Sequence, residues 1–155
     1  MNQQKEKERD IVSQFVVAQL ADEEYGVPIL FVESLIRMQE ITRVPDMPEF
    51  IEGVINLRGR IIPIMNMRKR FSFKQLEWDD RTRIIVVAFE NQTIGFVVDG
   101  VSEVIRLASD QIDPIPPSIS NIGSEYLRGV GKVDNRLLIL LDVEKILNDL
   151  EGVIR

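Results

Sequence analysis

The 155-residue chain contains no cysteine and no histidine. Without cysteine there is no disulfide, no thiolate nucleophile and no thiolate metal site. Without histidine the commonest general base and the commonest transition-metal ligand are missing. Aromatic residues are scarce, with one Trp and two Tyr, too few for a base-stacking surface. Positive charge is also short. Nineteen Lys and Arg stand against 25 Asp and Glu, for a net charge of −6 and a pI near 4.8. That balance argues against DNA, RNA or an anionic membrane surface as the main partner. The one basic cluster is Arg68-Lys69-Arg70. The longest apolar runs, 84–89 and 137–141, fall far below the ~20 residues of a membrane-spanning helix, so direct membrane insertion is not expected. The N-terminal residues 1–10 are polar with no apolar core, unlike a secretory signal. The expectation is a cytoplasmic protein with a flexible tail over residues 1–12.

No catalytic constellation survives inspection. Serines and threonines lack a Ser-x-x-Lys or Gly-x-Ser-x-Gly context, and Gly129-Val130-Gly131-Lys132 lacks phosphate-loop spacing. The EF-hand pattern is absent. The acidic clusters Asp22-Glu23-Glu24 and Glu77-Trp78-Asp79-Asp80 read as solvated loops between strands. No enzyme activity and no cofactor are expected.

What the sequence does contain is β-structure. Segments 14–20, 26–30, 32–38, 54–57, 60–65, 83–89, 93–98, 101–107 and 136–141 are rich in Val, Ile and Leu and are separated by Gly, Asn, Asp or Pro. The continuous runs in 83–89 and 137–141 predict strands buried on both faces. Arg58-Gly59 and Asp134-Asn135 fall at tight hairpin turns. One clear helix is expected over 143–150, capped by Asp142 and ended by Gly152, with Ile146, Leu147 and Leu150 on one face. A single turn is expected after Pro48.

The chain also repeats itself. At an offset of 69, Gly26 falls on Gly95, Val32 on Val101, Ile36 on Ile105 and Arg37 on Arg106. At an offset of 76, Gly53-Val54 falls on Gly129-Val130 and Arg60-Ile61-Ile62 on Arg136-Leu137-Leu138. Asn66 then falls on Asp142; both are strong N-caps, so a short helical turn is expected after Asn66. The change of offset places seven extra residues near 118–124. Gly26 and Gly95 are expected just before a strand, where a positive φ or a close backbone contact favours glycine. Two similar units of about five strands predict an all-β fold of two small closed barrels, with a groove between them.

Surface for binding remains. Arg58 and Arg60 flank a turn, and Leu57 offers an apolar anchor. The Pro-rich stretches 44–48 and 113–117 occupy equivalent places and read as rigid connectors.

The run Ile41-Thr42-Arg43-Val44-Pro45-Asp46-Met47-Pro48 through Gly53-Val54-Ile55-Asn56-Leu57-Arg58-Gly59-Arg60 resembles the hallmark of the CheW family of chemotaxis coupling proteins. So do Asp22-Glu23-Glu24-Tyr25-Gly26, Val97-Val98-Asp99-Gly100-Val101, and Glu125-Tyr126-Leu127 with Gly129 and 136–140. The resemblance spans roughly residues 13–150. It implies two SH3-like five-stranded barrels within one domain, 13–155, split roughly as 13–81 and 82–155, with exchange of chain between them left open. It implies an adaptor that joins the regulatory domain of the histidine kinase CheA to the helical tip of a chemoreceptor, in membrane-associated receptor arrays. Ile41, Val44, Asn56, Leu57, Arg58 and Gly59 are the implied kinase contacts; Val32, Gly95, Val101 and Gly129 are the implied receptor contacts. From the repeat alone, Val32 and Val101 fit either a cleft between the barrels or the core. Two departures stand out. Ser34, with Glu33 beside it, replaces a common Glu, and Asn66 replaces a usual Asp, an exchange that capping alone makes neutral. A generic β-barrel adaptor of another two-component system differs from this reading only in its partners.

Overall fold

The computed structural model describes residues 12–116 and 124–154, with side chains to Leu150. The insertion expected at 118–124 lies outside these apart from Ser124, as does the expected tail apart from Val12. Eleven strands run in order among the described residues: β1 (Val12–Leu20), β2 (Glu23–Pro28), β3 (Val32–Arg37), β4 (Ile51–Leu57), β5 (Arg60–Asn66), β6 (Arg83–Phe89), β7 (Gln92–Val98), β8 (Gly100–Ala108), β9 (Ile112–Asp113), β10 (Leu127–Val133) and β11 (Arg136–Leu141). Helix α1 (Met67–Arg70) follows β5 and α2 (Val143–Ile154) follows β11. Val12 is thus strand, and α2 continues past Gly152. After Pro48 the chain makes a turn, closed by the Ile51 amide on the Pro48 carbonyl at 2.9 Å, and no helix.

The fold is two SH3-like barrels. One sheet has the order β3-β6-β7-β5-β4 and the other β8-β1-β2-β11-β10-β9. The first barrel is contiguous in sequence, residues 32–98. The second is split, with β1 and β2 before it and β8 to β11 after it. The boundary near 81 therefore separates repeats, while each barrel takes one hairpin from the other repeat. The two barrels are wired alike. Strand β2 runs parallel to β11 with Gly26 opposite Leu140, and β7 runs parallel to β5 with Gly95 opposite Ile64. Left-handed residues recur at repeat-equivalent turns, Ala21 with Glu90 and Arg58 with Asp134.

Alternation along strands produces three apolar clusters. Phe15, Val17, Ile105, Leu107, Leu138 and Leu140 fill the split barrel. Ile55, Ile62, Ile64, Ile84, Val86 and Val97 fill the contiguous one. The opposite faces of β1 (Val16, Ala18) and β6 (Ile85, Val87) meet Val27, Met65 and Phe96 in a third, central cluster that fuses the barrels. Strand β6 is buried on both faces, as its apolar run predicts. Strand β11 is not, because Leu137 is 65% exposed. The space between the barrels is filled core with a rim, not an open groove. Strand β10 escapes the apolar pattern because Gly129, Gly131, Arg128 and Lys132 dilute it, although the offset of 76 projects it from β4.

Helix α2 starts where the Asp142 carboxylate accepts the Lys145 amide at 3.0 Å, and α1 where the Asn66 side chain accepts the Lys69 amide at 3.2 Å. Ile146, Leu147 and Leu150 of α2 close the central cluster. Leu147→Ala should cost about 2–5 kcal/mol, read as a lower denaturant midpoint with an unchanged β-type circular dichroism spectrum. An unchanged midpoint would show that α2 is not docked.

Candidate functional site

The most exposed of the expected contacts lie on the β4–β5 turn. Arg58 and Gly59 both have positive φ, 53° and 85°, the signature of a type I′ hairpin whose twist matches its strands. The Gly59 amide donates to Asn56 Oδ1 at 2.9 Å, which fixes the turn from inside. Arg58 is held out into solvent with no ion-pair partner among the described residues. Ile41 and Leu57 are half-buried against the interior of the contiguous barrel directly beneath. Ile41 is brought there by the bridge between Thr42 and Val54. Val44 is not part of this group. It lines a separate hollow with Glu52 and Lys69 at the start of β4.

Arg60 follows the turn and anchors it. Its guanidinium donates to Thr93 Oγ1 at 2.9 Å and pairs with Glu33. Glu33 is the extra residue of a β-bulge between Val32 and Ser34; the bulge turns its side chain toward Arg60. The carboxylate missing at Ser34 is thereby supplied one residue earlier. The split barrel holds the counterpart. Arg136 grips Glu24 through two bonds of 2.9 and 2.7 Å and reaches Glu103, the repeat equivalent of Ser34, at 3.2 Å. The Arg136 hydrogen bonds, opposed by burial, hold the Glu24 carboxyl below the usual carboxylate range.

The expected receptor contacts divide into two kinds. Val32 lies opposite Val87 and Val101 opposite Ala18, equivalent positions on the edge strands β3 and β8. Both are half-buried against the rim of the central cluster. Gly95 and Gly129 are buried within strands, so Gly95 does not precede a strand, nor does Gly26. Neither Gly26 nor Gly95 has positive φ. A Cβ on Gly95 would lie 2.7 Å from Ile64 and Ile84, and one on Gly129 2.8 Å from the Asp113 carbonyl. Glycine is needed at both for close packing, and neither carries a side chain to a partner. Sequence reasoning missed Ile61, 64% exposed beside the Arg58 turn, and its equivalent Leu137. The offset of 76 pairs them, but their place within apolar runs reads as core.

The CheW-like domain model matches residues 14–151. The chain belongs to the CheW family. It is 41% identical over 138 residues to the chemotaxis protein CheW of Klebsiella aerogenes, covering 89% of this chain and 83% of that one. It is 36% identical to the chemotaxis protein CheW of Helicobacter pylori, covering 92% of this chain and 86% of that one. Among solved structures, the scaffolding protein TtCheW of Thermoanaerobacter tengcongensis superposes with a TM-score of 0.79 at 38% identity, covering 84% of this chain and 89% of that one. No helix among the described residues is long and apolar enough to cross a membrane.

The exchange at Asn66 within this CheW-like domain is not neutral. Asn66 is 4% exposed and its amide donates to Glu52 at 3.0 Å and to Gln75 at 3.2 Å. In the split barrel the equivalent pair is Asp142 with Arg128, the charge of the neighbour reversed. Asn66→Asp would remove both donated bonds and set a second carboxylate against Glu52, whose charge the single Lys69 ammonium at 2.8 Å already balances. It should cost about 1–3 kcal/mol at neutral pH. Like-charge contact raises the carboxyl pKa above its unfolded value, so the charge part of the loss shrinks as pH falls through that raised pKa and has gone by about pH 4, near the unfolded value. Thermal melts from pH 3 to 8 check this, and Glu52→Gln in the same chain should restore part of the loss.

Proposed function

We propose that the protein is a chemotaxis adaptor that couples chemoreceptors to the histidine kinase CheA, binding the kinase's regulatory domain and the receptor's helical tip and working at membrane receptor arrays. The observation that carries the reading is the β4–β5 turn, a rigid hairpin that holds Arg58 in a left-handed conformation over the apolar Leu57 and Ile41. An exposed arginine on a fixed backbone beside apolar side chains is the composition of a binding hot spot. The relatives' names supply the pathway; the acidic balance and scarce aromatics favour a protein partner over nucleic acid.

The kinase face is assigned to the contiguous barrel around Asn56, Leu57, Arg58 and Gly59, extended by the exposed Ile61. Gly59 gives the turn its shape, and Val44 lies outside the patch. The receptor face is assigned to the rim of the central cluster at Val32 and Val101, with Gly95 and Gly129 acting through packing. An amphipathic helix lays its apolar residues against such a rim at helical spacing.

Arg58→Ala should weaken binding to the kinase regulatory domain by about 2 kcal/mol, roughly thirtyfold, in a titration with the purified domain. Its melting curve should stay unchanged because the side chain is solvated. Unchanged affinity for both kinase and receptor would remove Arg58 from the site. Val32→Asp and Val101→Asp should leave a folded protein that retains the kinase and loses the receptor fragment in separate pull-downs. A folded variant that loses the kinase and keeps the receptor would show the two faces to be reversed.

A further inference from the structure

The two acidic clusters that read as separate solvated loops in the sequence face one another across a single hollow of about 780 Å³. One wall is the β1–β2 turn of the split barrel, with Asp22 and Glu23. The other is the connection from α1 to β6, with Glu77 and Asp79. On that second wall Leu76 is 57% and Trp78 44% exposed. Both face the hollow, and Phe73, half-buried against the central cluster, adds a further apolar edge to it, whereas Phe71 of the same connection packs only against the cluster.

Both walls are fixed. Arg68 grips Asp99 through bonds of 2.8 and 2.7 Å and donates to the Lys74 carbonyl at 2.5 Å. Asp99 in turn accepts the Ala21 amide at 2.8 Å. The Asn66 amide holds Gln75, and Asp79 and Thr82 close the turn beyond Trp78 through an amide–hydroxyl bond of 2.9 Å. Of the cations around the hollow, Arg68 is committed to Asp99, and Arg81 lies 3.7 Å from Asp79. Lys74 is the remaining one. Neither Asp22 nor Glu77 accepts a hydrogen bond among the described residues. An exposed indole next to excess carboxylate attracts a guanidinium or ammonium by cation–π and ionic terms together, and Leu76 adds an apolar contact.

We propose that this hollow docks a basic segment of a partner protein, one presenting arginine or lysine next to an aliphatic side chain. It is a third surface, built from the split barrel and the inter-repeat connection, apart from the Arg58 turn and from the Val32 and Val101 rim.

Trp78 is the chain's single tryptophan, so its fluorescence reports directly. The full chain is titrated with a capped peptide of alternating arginine and leucine, and separately with its glutamate–leucine counterpart. The expected result is a saturable change in emission with the first peptide alone. It should be at least tenfold weaker in an Asp22→Asn, Glu77→Gln variant and unaltered in an Asp110→Asn, Asp134→Asn variant of equal net charge. Trp78→Ala, followed by calorimetry, should lose the binding while the kinase and receptor pull-downs are retained. No saturable change, or equal weakening in both charge variants, would overturn the proposal, the latter by showing attraction to the acidic protein as a whole.

Discussion

The central residues of β1 (15–18) and of β6 (84–87) have no solvent face, and the rest of the molecule depends on that. Val17 and Val86 point into their own barrels while Ala18 and Val87 point the other way, into the shared cluster, all four less than 2% exposed. A barrel of five short strands buries too little apolar surface to be secure alone. Fusing two through a third core removes the outer face of each from water. The same requirement explains α2, which covers the shared cluster with Ile146, Leu147 and Leu150. It also explains why no open cleft divides the barrels. Any partner placed between them meets the edges of a core, at Val32 and Val101, instead of a void.

Around this apolar frame the charged groups follow the repeat with substitutions that compensate one another. Arg60 and Arg136 occupy one position and each reaches a carboxylate on its sheet's edge strand, yet the carboxylates come from different places, Glu33 as the extra residue of the β3 bulge and Glu103 from the residue after the equivalent bulge at Ser102 in β8. Glu52 and Arg128 likewise occupy one position with opposite charge, matched by Asn66 and Asp142. The geometry is retained while sign and source vary, as expected where a pair must be satisfied but its polarity is indifferent. Arg70 is a further case. Its guanidinium lies between Phe50 and Tyr126, repeat-equivalent rings, at 5.0 and 4.3 Å from their centroids. Tyr126 carries the link on to Asp149 of α2 at 2.9 Å.

Most of this was legible before the structure. The strand segments, both turns, both caps and the two-barrel fold follow from apolar alternation, turn residues and internal similarity, and the family follows from the resemblance carried by the 41–60 run and its companion motifs. The misses have physical causes. Strand β10 carries two glycines where Leu107 and the Asp113 carbonyl come close, and those glycines erase its strand signature. Gly26 and Gly95 fit a positive φ or a close backbone contact ahead of a strand, but both lie within strands, where the side chains of Leu140 and Ile64 come close. Leu137 and Ile61 lie in apolar runs and still face solvent, because composition does not reveal which face a strand presents. The bulge at Glu33 and the meeting of the two acidic clusters belong to three-dimensional pairing, which residue types alone do not encode.

The exchange of hairpins also sets an order of events on the ribosome. When Val98 has been made, every strand of the contiguous barrel exists, whereas the split barrel has only β1 and β2. Its remaining strands end at Leu141, roughly forty residues later. At bacterial synthesis rates of ~5–20 residues per second, that interval is about 2–9 s. Strand β8 follows within ten residues, but for nearly all of the interval the first hairpin lacks its other sheet neighbour, β11, and the inner face of β1 rests on β6 and β7 of the finished barrel. The first hairpin is thus among the last to be fully paired, and the nascent chain carries an incomplete sheet edge for longer than two barrels in series would require.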